Sequence, residues 1–225
     1  MFQSLRLPPR GIDIAQGKGK YLMQHRGCSI LKGADDMVIF HELFWRLRPA
    51  TVIELGTFTG GSAVWMADML RLMEVDSTIY SMDIELSNLE ERVKEIKPSN
   101  VHFFEGNSYE IEKTFTSEML QSLPHPWLVI EDAHTNINGI MNHFGSYMKT
   151  GDYFIIKDVH PNLPRDIGKD GSIYGDDFET IGPSAIIEMK KFLSQHANEY
   201  AVDSFYTDFF GYNGTWNMHG YIRKM

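Results

Sequence analysis

Apolar positions change period several times along the chain. From Asp35 to Leu47 they recur at helical spacing, with Met37, Phe40, Phe44 and Leu47 on one side, and Pro49 ends the segment. Thr51 to Leu55 is then a short apolar run of strand length, followed by a glycine-rich turn and an apolar helix from Ser62 to about Met73. The alternation repeats. Thr78–Met82, Val101–Phe104, Trp127–Ile130 and Tyr153–Ile156 read as strands. Between them lie helical patterns. Ser87 with Glu90 has the capping-box form ahead of Leu89, Val93 and Ile96, and the segment ends at Pro98; further helices are expected over Ser108–Leu120 and around Ile140–Met148. Gly182-Pro183 predicts a helix start that runs through Leu193, and Tyr200–Phe205 and Met218–Arg223 are two more strand candidates.

Strands that are apolar throughout and alternate with helices indicate an α/β fold: a mostly parallel sheet with helices on both faces. The polar, Gly/Pro-containing region before the first helix reads as an N-terminal segment, 1–34, ahead of a single domain, 35–225. The 225 residues suffice for one substantial core, and 43% hydrophobic with 23% charged residues is the composition of an ordinary globular protein. A net charge of −9 and a pI near 5.4 argue against nucleic acid and anionic membrane as partners and leave a small molecule. The single Cys28 rules out an internal disulfide, no segment has the form of a signal peptide, and no uncharged apolar stretch reaches membrane-spanning length, so a cytoplasmic location is expected. The stretch from Pro161 to Thr180, with Asp166, Asp170, Asp176, Asp177 and Glu179, fits either a lid or a solvated loop.

Candidate chemistry gathers at the strand ends. The first strand runs into Glu54-Leu-Gly-Thr-Phe-Thr-Gly-Gly-Ser62, where Gly56, Gly60 and Gly61 permit a tight turn and a close approach of backbone to a ligand, with Thr57 and Ser62 beside them. Asp83, just past the second strand, is placed to accept both ribose hydroxyls of an adenosine. Asn107 and Ser108, after the third, can reach an adenine edge or cap the next helix. A nicotinamide enzyme would share these features. The turn, however, reads Gly-x-x-x-Gly-Gly and lacks the middle glycine that admits a pyrophosphate, while Glu54 would repel phosphate and suit an ammonium and a sulfonium. S-adenosylmethionine is the expected cofactor. A nucleotide-dependent oxidoreductase and a non-catalytic cofactor-binding scaffold are the alternatives.

Val52 to Val64, with upstream Ile30-Leu-Lys-Gly and downstream Glu105-Gly-Asn-Ser108, resembles the cephalosporin hydroxylase family, related to rhamnosyl O-methyltransferases; Gly182-Pro183 and His219-Gly-Tyr-Ile-Arg223 are similar too. The resemblance covers most of the chain from about Ile30. It implies a Rossmann-like class I methyltransferase fold, with a seven-stranded sheet whose last strand is antiparallel, and S-adenosylmethionine as cofactor. It also implies O-methylation of a hydroxyl-bearing natural product and a magnesium ion held by carboxylates at the ends of the fourth and fifth strands. Here the fourth strand ends in Glu131-Asp132-Ala-His134-Thr135, where the family often has Asp-Ser-Asn-His-Thr, and the fifth in Lys157-Asp158, where it commonly has Glu-Asp. Glu131, Asp132 and Asp158 remain as candidate ligands. A lysine cannot coordinate a cation, so either these three carboxylates hold magnesium with waters or, the reading favoured here, Lys157 replaces the metal's charge.

Methyl transfer requires alignment of the acceptor oxygen and removal of its proton. His134, Lys157 and Asp158 are the catalytic candidates; His134 titrates near neutrality without tuning, whereas Lys157 would need burial or a cationic neighbour to act as a base. His134 could equally be hydrogen-bonded to a loop, and Lys157 salt-bridged to Glu131, Asp132 or Asp158. His143, His160 and His219 carry no assignment. The aromatic run from Phe205 to Tyr212 reads as sheet packing or as a subunit contact of a homo-oligomer, with one ring available to an acceptor pocket.

Overall fold

The structure is a computed structural model that describes residues 22–159 and 178–225, and side chains in the second stretch from Ser184 onward. A short antiparallel hairpin, β1 (Gln24–His25) and β2 (Cys28–Ser29), precedes α1 (Ala34–Leu47). The repeat then proceeds through β3 (Thr51–Leu55), α2 (Gly61–Leu72), β4 (Thr78–Asp83), α3 (Glu91–Ile96) and β5 (Val101–Glu105). Two short helices, α4 (Ile111–Thr114) and α5 (Ser117–Ser122), lead to β6 (Trp127–Glu131), α6 (Ile137–Gly145) and β7 (Tyr153–Ile156). After α7 (Phe178–Gln195) come β8 (Tyr200–Val202), α8 (Ser204–Thr207) and β9 (Tyr221–Lys224).

The seven strands order as β5-β4-β3-β6-β7-β9-β8. All pairings are parallel except those of β9, which runs antiparallel to both neighbours, as expected of the last strand. Alternate residues of the central strands feed two cores. Ile53, Val129 and Phe154 pack with α4, α6 and α7, while Val52, Leu128 and Ile155 pack with α1 and α2. Every residue of β3, β6 and β7 is buried, which is why these strands are apolar on both faces. Among the described residues no helix is long and apolar enough to cross a membrane.

Several local expectations fail for identifiable reasons. Ser87 does not cap α3: the cap position is Glu90, whose carboxylate accepts the Ser29 amide of the hairpin instead, at 3.0 Å. The helix expected over Ser108–Leu120 is broken, because Thr116 leaves the helical path to cap α5, its hydroxyl accepting the Met119 amide. The Tyr200 strand stops at Val202, since Asp203 caps a helix that takes in Phe205. α7 begins before Gly182-Pro183, at Phe178. The acidic stretch up to Asp177, together with His160, lies outside the described residues.

Candidate active site

The chain leaves β3 toward β4 and β5 on one side and returns as β6 on the other, so the sheet's switch point lies between β3 and β6. Ligands of doubly wound sheets sit beyond the strand ends at that point. A cavity of about 500 Å³ opens there. The loops after β3, β4 and β5 form one end of it, with Gly56, Thr57, Ser62, Asp83, Asn107 and Ser108, and the loops after β6 and β7 the other, with Asp132, His134 and Asp158.

Gly56 has φ +100°, and a Cβ there would stand 2.6 Å from the Asp132 carbonyl oxygen, so the two loops meet backbone to backbone. Gly60 and Gly61 open α2 and do not line the cavity: a Cβ on Gly61 would lie 2.1 Å from the Ser29 carbonyl oxygen. Both glycines admit the close packing of hairpin, α2 and α3. Glu54 is also displaced from its expected role. It is fully buried below the cavity, where Ser62 and Ser81 each donate a hydroxyl to its carboxylate at 2.6 Å, and Thr57 in turn donates to Ser81 at 2.6 Å. Burial pushes its carboxyl up, against the pull of Lys32 and the two serines. Its hydrogen bonds hold Ser62 and, through Ser81, Thr57, and Glu54 itself is not among the residues lining the cavity.

Asp83 accepts the Phe58 amide on Oδ2 at 2.7 Å and still lines the cavity. Asn107 caps the turn after β5, its Oδ1 accepting the Tyr109 amide at 2.9 Å, and lines the cavity as well. Ile84 and Tyr109, both mostly exposed, flank this end.

The opposite end is dense in charge. His134 Nε2 lies 3.6 Å from Asp132 Oδ1 and 3.5 Å from Asp158 Oδ2, and Lys32 Nζ lies 2.5 Å from Asp132 Oδ2. His134 and Asp158 are both held in the left-handed region, at φ +58° and +54°, a conformation that costs a non-glycine residue about 1–2 kcal/mol. Burial would raise the Asp132 carboxyl, but the Lys32 and Lys157 ammonium groups and His134 together hold it well below the usual carboxylate range.

Two expected members of this cluster are elsewhere. Glu131 is buried with Oε1 accepting the amides of Ala133 (3.1 Å) and His134 (2.7 Å); burial, reinforced by Asp132, pushes its carboxyl up to about 8. It organises the loop and is not gathered with Asp132 and Asp158; the carboxylates of those two and His134 are the ligand-type atoms that come together, all within 4.8 Å. Lys157 pairs with none of the three carboxylates expected for it. Its ammonium meets Asp36 Oδ2 of α1, whose Oδ1 accepts from Asn217 Nδ2 at 2.7 Å, and Asn217 Oδ1 accepts the Asp158 amide at 3.0 Å. Burial disfavours that charge, yet Asp36, Asp158 and Asp132 outweigh it and raise its pKa. It braces Asp158 from behind the cavity.

Lys32, Asp36 and Asn217 are the site residues that pattern reading misses. Asp36 was within reach, since it stands one turn before Phe40 on the buried face of α1.

A model of the family described as rhamnosyl O-methyltransferase/CmcI matches residues 18–225. The chain belongs to this family. Rhamnosyl O-methyltransferases of Mycobacterium tuberculosis and Mycobacterium bovis are 24% identical over 209 residues, covering 86% of this chain and 75% of theirs. A solved structure of CmcI with magnesium and S-adenosylmethionine matches with a TM-score of 0.70 and 26% identity, over 91% of this chain and 77% of that one. The O-methyltransferase TomG of Streptomyces achromogenes, at 18% identity and a TM-score of 0.54 over 77% of this chain and 73% of its own, shares the fold. This family member is thus an S-adenosylmethionine-dependent O-methyltransferase with the class I fold.

Proposed function

We propose that this family member methylates a hydroxyl group of a small natural-product molecule, with the adenosyl end of the cofactor on Asp83, Asn107 and Ser108 and the acceptor hydroxyl at His134. The observation that carries this reading is one cavity with two chemically distinct ends, a polar end lined by Asp83, Asn107 and Ser108 and a histidine between two carboxylates. Its volume lies in the range of small-molecule sites. Among the described residues Lys32 is its single Lys or Arg lining residue and is tied to Asp132, so the described lining offers no unpaired cation to a pyrophosphate.

When bound, S-adenosylmethionine supplies an electrophilic methyl group on a sulfonium, open to in-line attack by an oxygen nucleophile. Asp83 is placed to accept ribose hydroxyls while Phe58 holds it in position. Gly56 lets the loop after β3 lie flat against the loop after β6, which sets the distance between the two ends. His134 Nε2 takes the acceptor's proton, and Asp132 and Asp158 stabilise the imidazolium that results.

Calorimetry with S-adenosylmethionine and with NAD, followed by methyl transfer to a panel of hydroxylated metabolites, tests the reading. His134→Gln is expected to keep cofactor affinity and to lose roughly 10²–10⁴-fold in kcat. Tighter binding of NAD than of S-adenosylmethionine, or unchanged turnover in His134→Gln, overturns it.

A further inference from the structure

A second cavity, of about 510 Å³, opens at the other end of the sheet. The catalytic cavity lies beyond the carboxyl ends of the strands, whereas here Tyr153 opens β7 and Arg46 belongs to the last turn of α1. No described residue lines both. Asp203, Phe205 and Tyr206, at the start of α8, close the second cavity on one side and Arg223 of β9 on another. Arg223 is the partner of Tyr153 across the β7–β9 pairing, so their side chains leave the sheet on the same face. The aromatic run from Phe205 to Tyr212 thus contributes its first two rings to this cavity, and none of its described residues lines the catalytic one.

Its walls are aromatic and its polar groups are mostly donors. Tyr153 and Tyr206 meet edge to face with centroids 6.0 Å apart, and Phe205 meets Tyr206 at 5.0 Å. Tyr153 donates its hydroxyl to Asp203 Oδ2 at 2.8 Å, and Asp203 Oδ1 accepts the Phe205 amide at 2.9 Å, so the carboxylate of the described lining is engaged on both oxygens. Tyr206 is 2% exposed, yet its hydroxyl has no hydrogen-bond partner among the described residues. Burial pushes that phenol up to about 12, so it remains a neutral donor. The Arg46 guanidinium lies 4.4 Å from the Phe205 ring centroid and gives Nε to Glu42 at 2.5 Å, which leaves its two terminal nitrogens. Arg223 is exposed and makes no ion pair among the described residues.

Two guanidinium groups and an unengaged phenol suit an anion, and a guanidinium matches the planar fork of a carboxylate. The rings suit a flat apolar body rather than a compact ion, since a bare ion would leave them uncovered. We propose that this cavity is a second binding site, for a small aromatic carboxylate, with the carboxylate on Arg223 and the Tyr206 hydroxyl and the ring against Phe205 and Tyr153. Its volume lies in the range of small-molecule sites. The site shares no described lining residue with the cofactor cavity and does not rest on the methyl-transfer reading.

Benzoate is the probe, followed by ligand-observed NMR on the full chain loaded with S-adenosylhomocysteine, which fills the catalytic cavity. Benzamide keeps the shape without the charge, and inorganic phosphate keeps a charge without the ring. Benzoate is expected to bind with a Kd below about 1 mM, within what a ligand of this size can reach, and the other two at least about tenfold more weakly. Arg223→Gln, at an exposed position, should weaken benzoate by roughly tenfold or more, and Tyr206→Phe, which keeps the ring, by about three- to tenfold. Neither should change cofactor affinity. Should Tyr206→Phe fail to fold, Arg223→Gln decides alone. Absence of benzoate binding, equal binding of benzamide or phosphate, or full affinity in Arg223→Gln overturns the proposal. So does benzoate binding that S-adenosylhomocysteine abolishes, because that places the probe in the catalytic cavity.

Discussion

The two ends of the cavity are built on opposite principles. Around the turn after β3 the polar groups are satisfied within the protein: Glu54 takes two hydroxyls, Thr57 completes the chain through Ser81, and Asp83 holds the Phe58 amide. At the ends of β6 and β7 Nδ1 of His134 and Oε2 of Glu131 are buried without a hydrogen-bond partner, and carboxylates and ammonium groups crowd together. The first end is a rigid mould whose cofactor groups are few and preset. The second gathers charge and unsatisfied polar atoms at the place proposed for proton transfer.

The comparison breaks most severely at the pair that braces the charged end. Lys157→Met leaves Asp36 buried without its counter-ion, which typically costs about 3–5 kcal/mol of stability, whereas Asp36→Asn with Lys157→Met removes both charges and should recover most of that. Urea unfolding of both variants checks this, and equal losses would mean that packing, not charge, holds the pair. Next in size is the mould. Gly61→Ala drives a methyl group into the Ser29 carbonyl, a backbone atom that cannot swing aside, so a loss of about 1–3 kcal/mol is expected in the protein without cofactor. A defect that appears only as weakened cofactor binding would return Gly61 to a ligand role.

Asp83→Ala is smaller in global effect and sharper in place. It should weaken S-adenosylmethionine binding by about 1.5–3 kcal/mol for each charged hydrogen bond lost, measured by calorimetry, and leave the charged end untouched. Unchanged affinity would remove Asp83 from the cofactor site.

How far the molecule was legible in its sequence follows the same division. The strands and the glycine turn were readable, because a strand buried on both faces is mostly apolar and a βα turn at a crowded junction must lack side chains. Local capping was not: Ser87 and Glu90 have the right spacing, but the Ser29 amide, far away in sequence, competes for Glu90 and wins. The charged end was legible as a list of residues but not as a set of pairs. Lys157 had three carboxylates within two residues of a strand end to choose from and instead found Asp36, 121 positions away. Glu131 and Asp132 are neighbours on a strand end, where successive side chains point opposite ways, and only one of them could face the cavity.

That division gives the subtlest test, at Glu131. Its carboxyl is buried and pushed up to about 8, so the folded state keeps a proton that the unfolded chain releases near 4.5. Between these values the native state binds more protons, and stability must fall as pH rises, by up to about 1.4 kcal/mol per pH unit from this group. The stabilisation is fully present below about 4.5 and is lost as pH passes 8. Glu131→Gln keeps an Oε1 acceptor for the amides of Ala133 and His134 but does not titrate. At pH 5 the two proteins should differ little, apart from the cost of a buried amide whose N–H groups have no partner where Oε2 already had none. From pH 5 to 8 the variant's stability should decline less steeply than that of the unmodified protein, by up to that same slope, so the gap should move steadily in the variant's favour. Parallel curves in denaturant unfolding across that range would mean that Glu131 is ionised in the folded state.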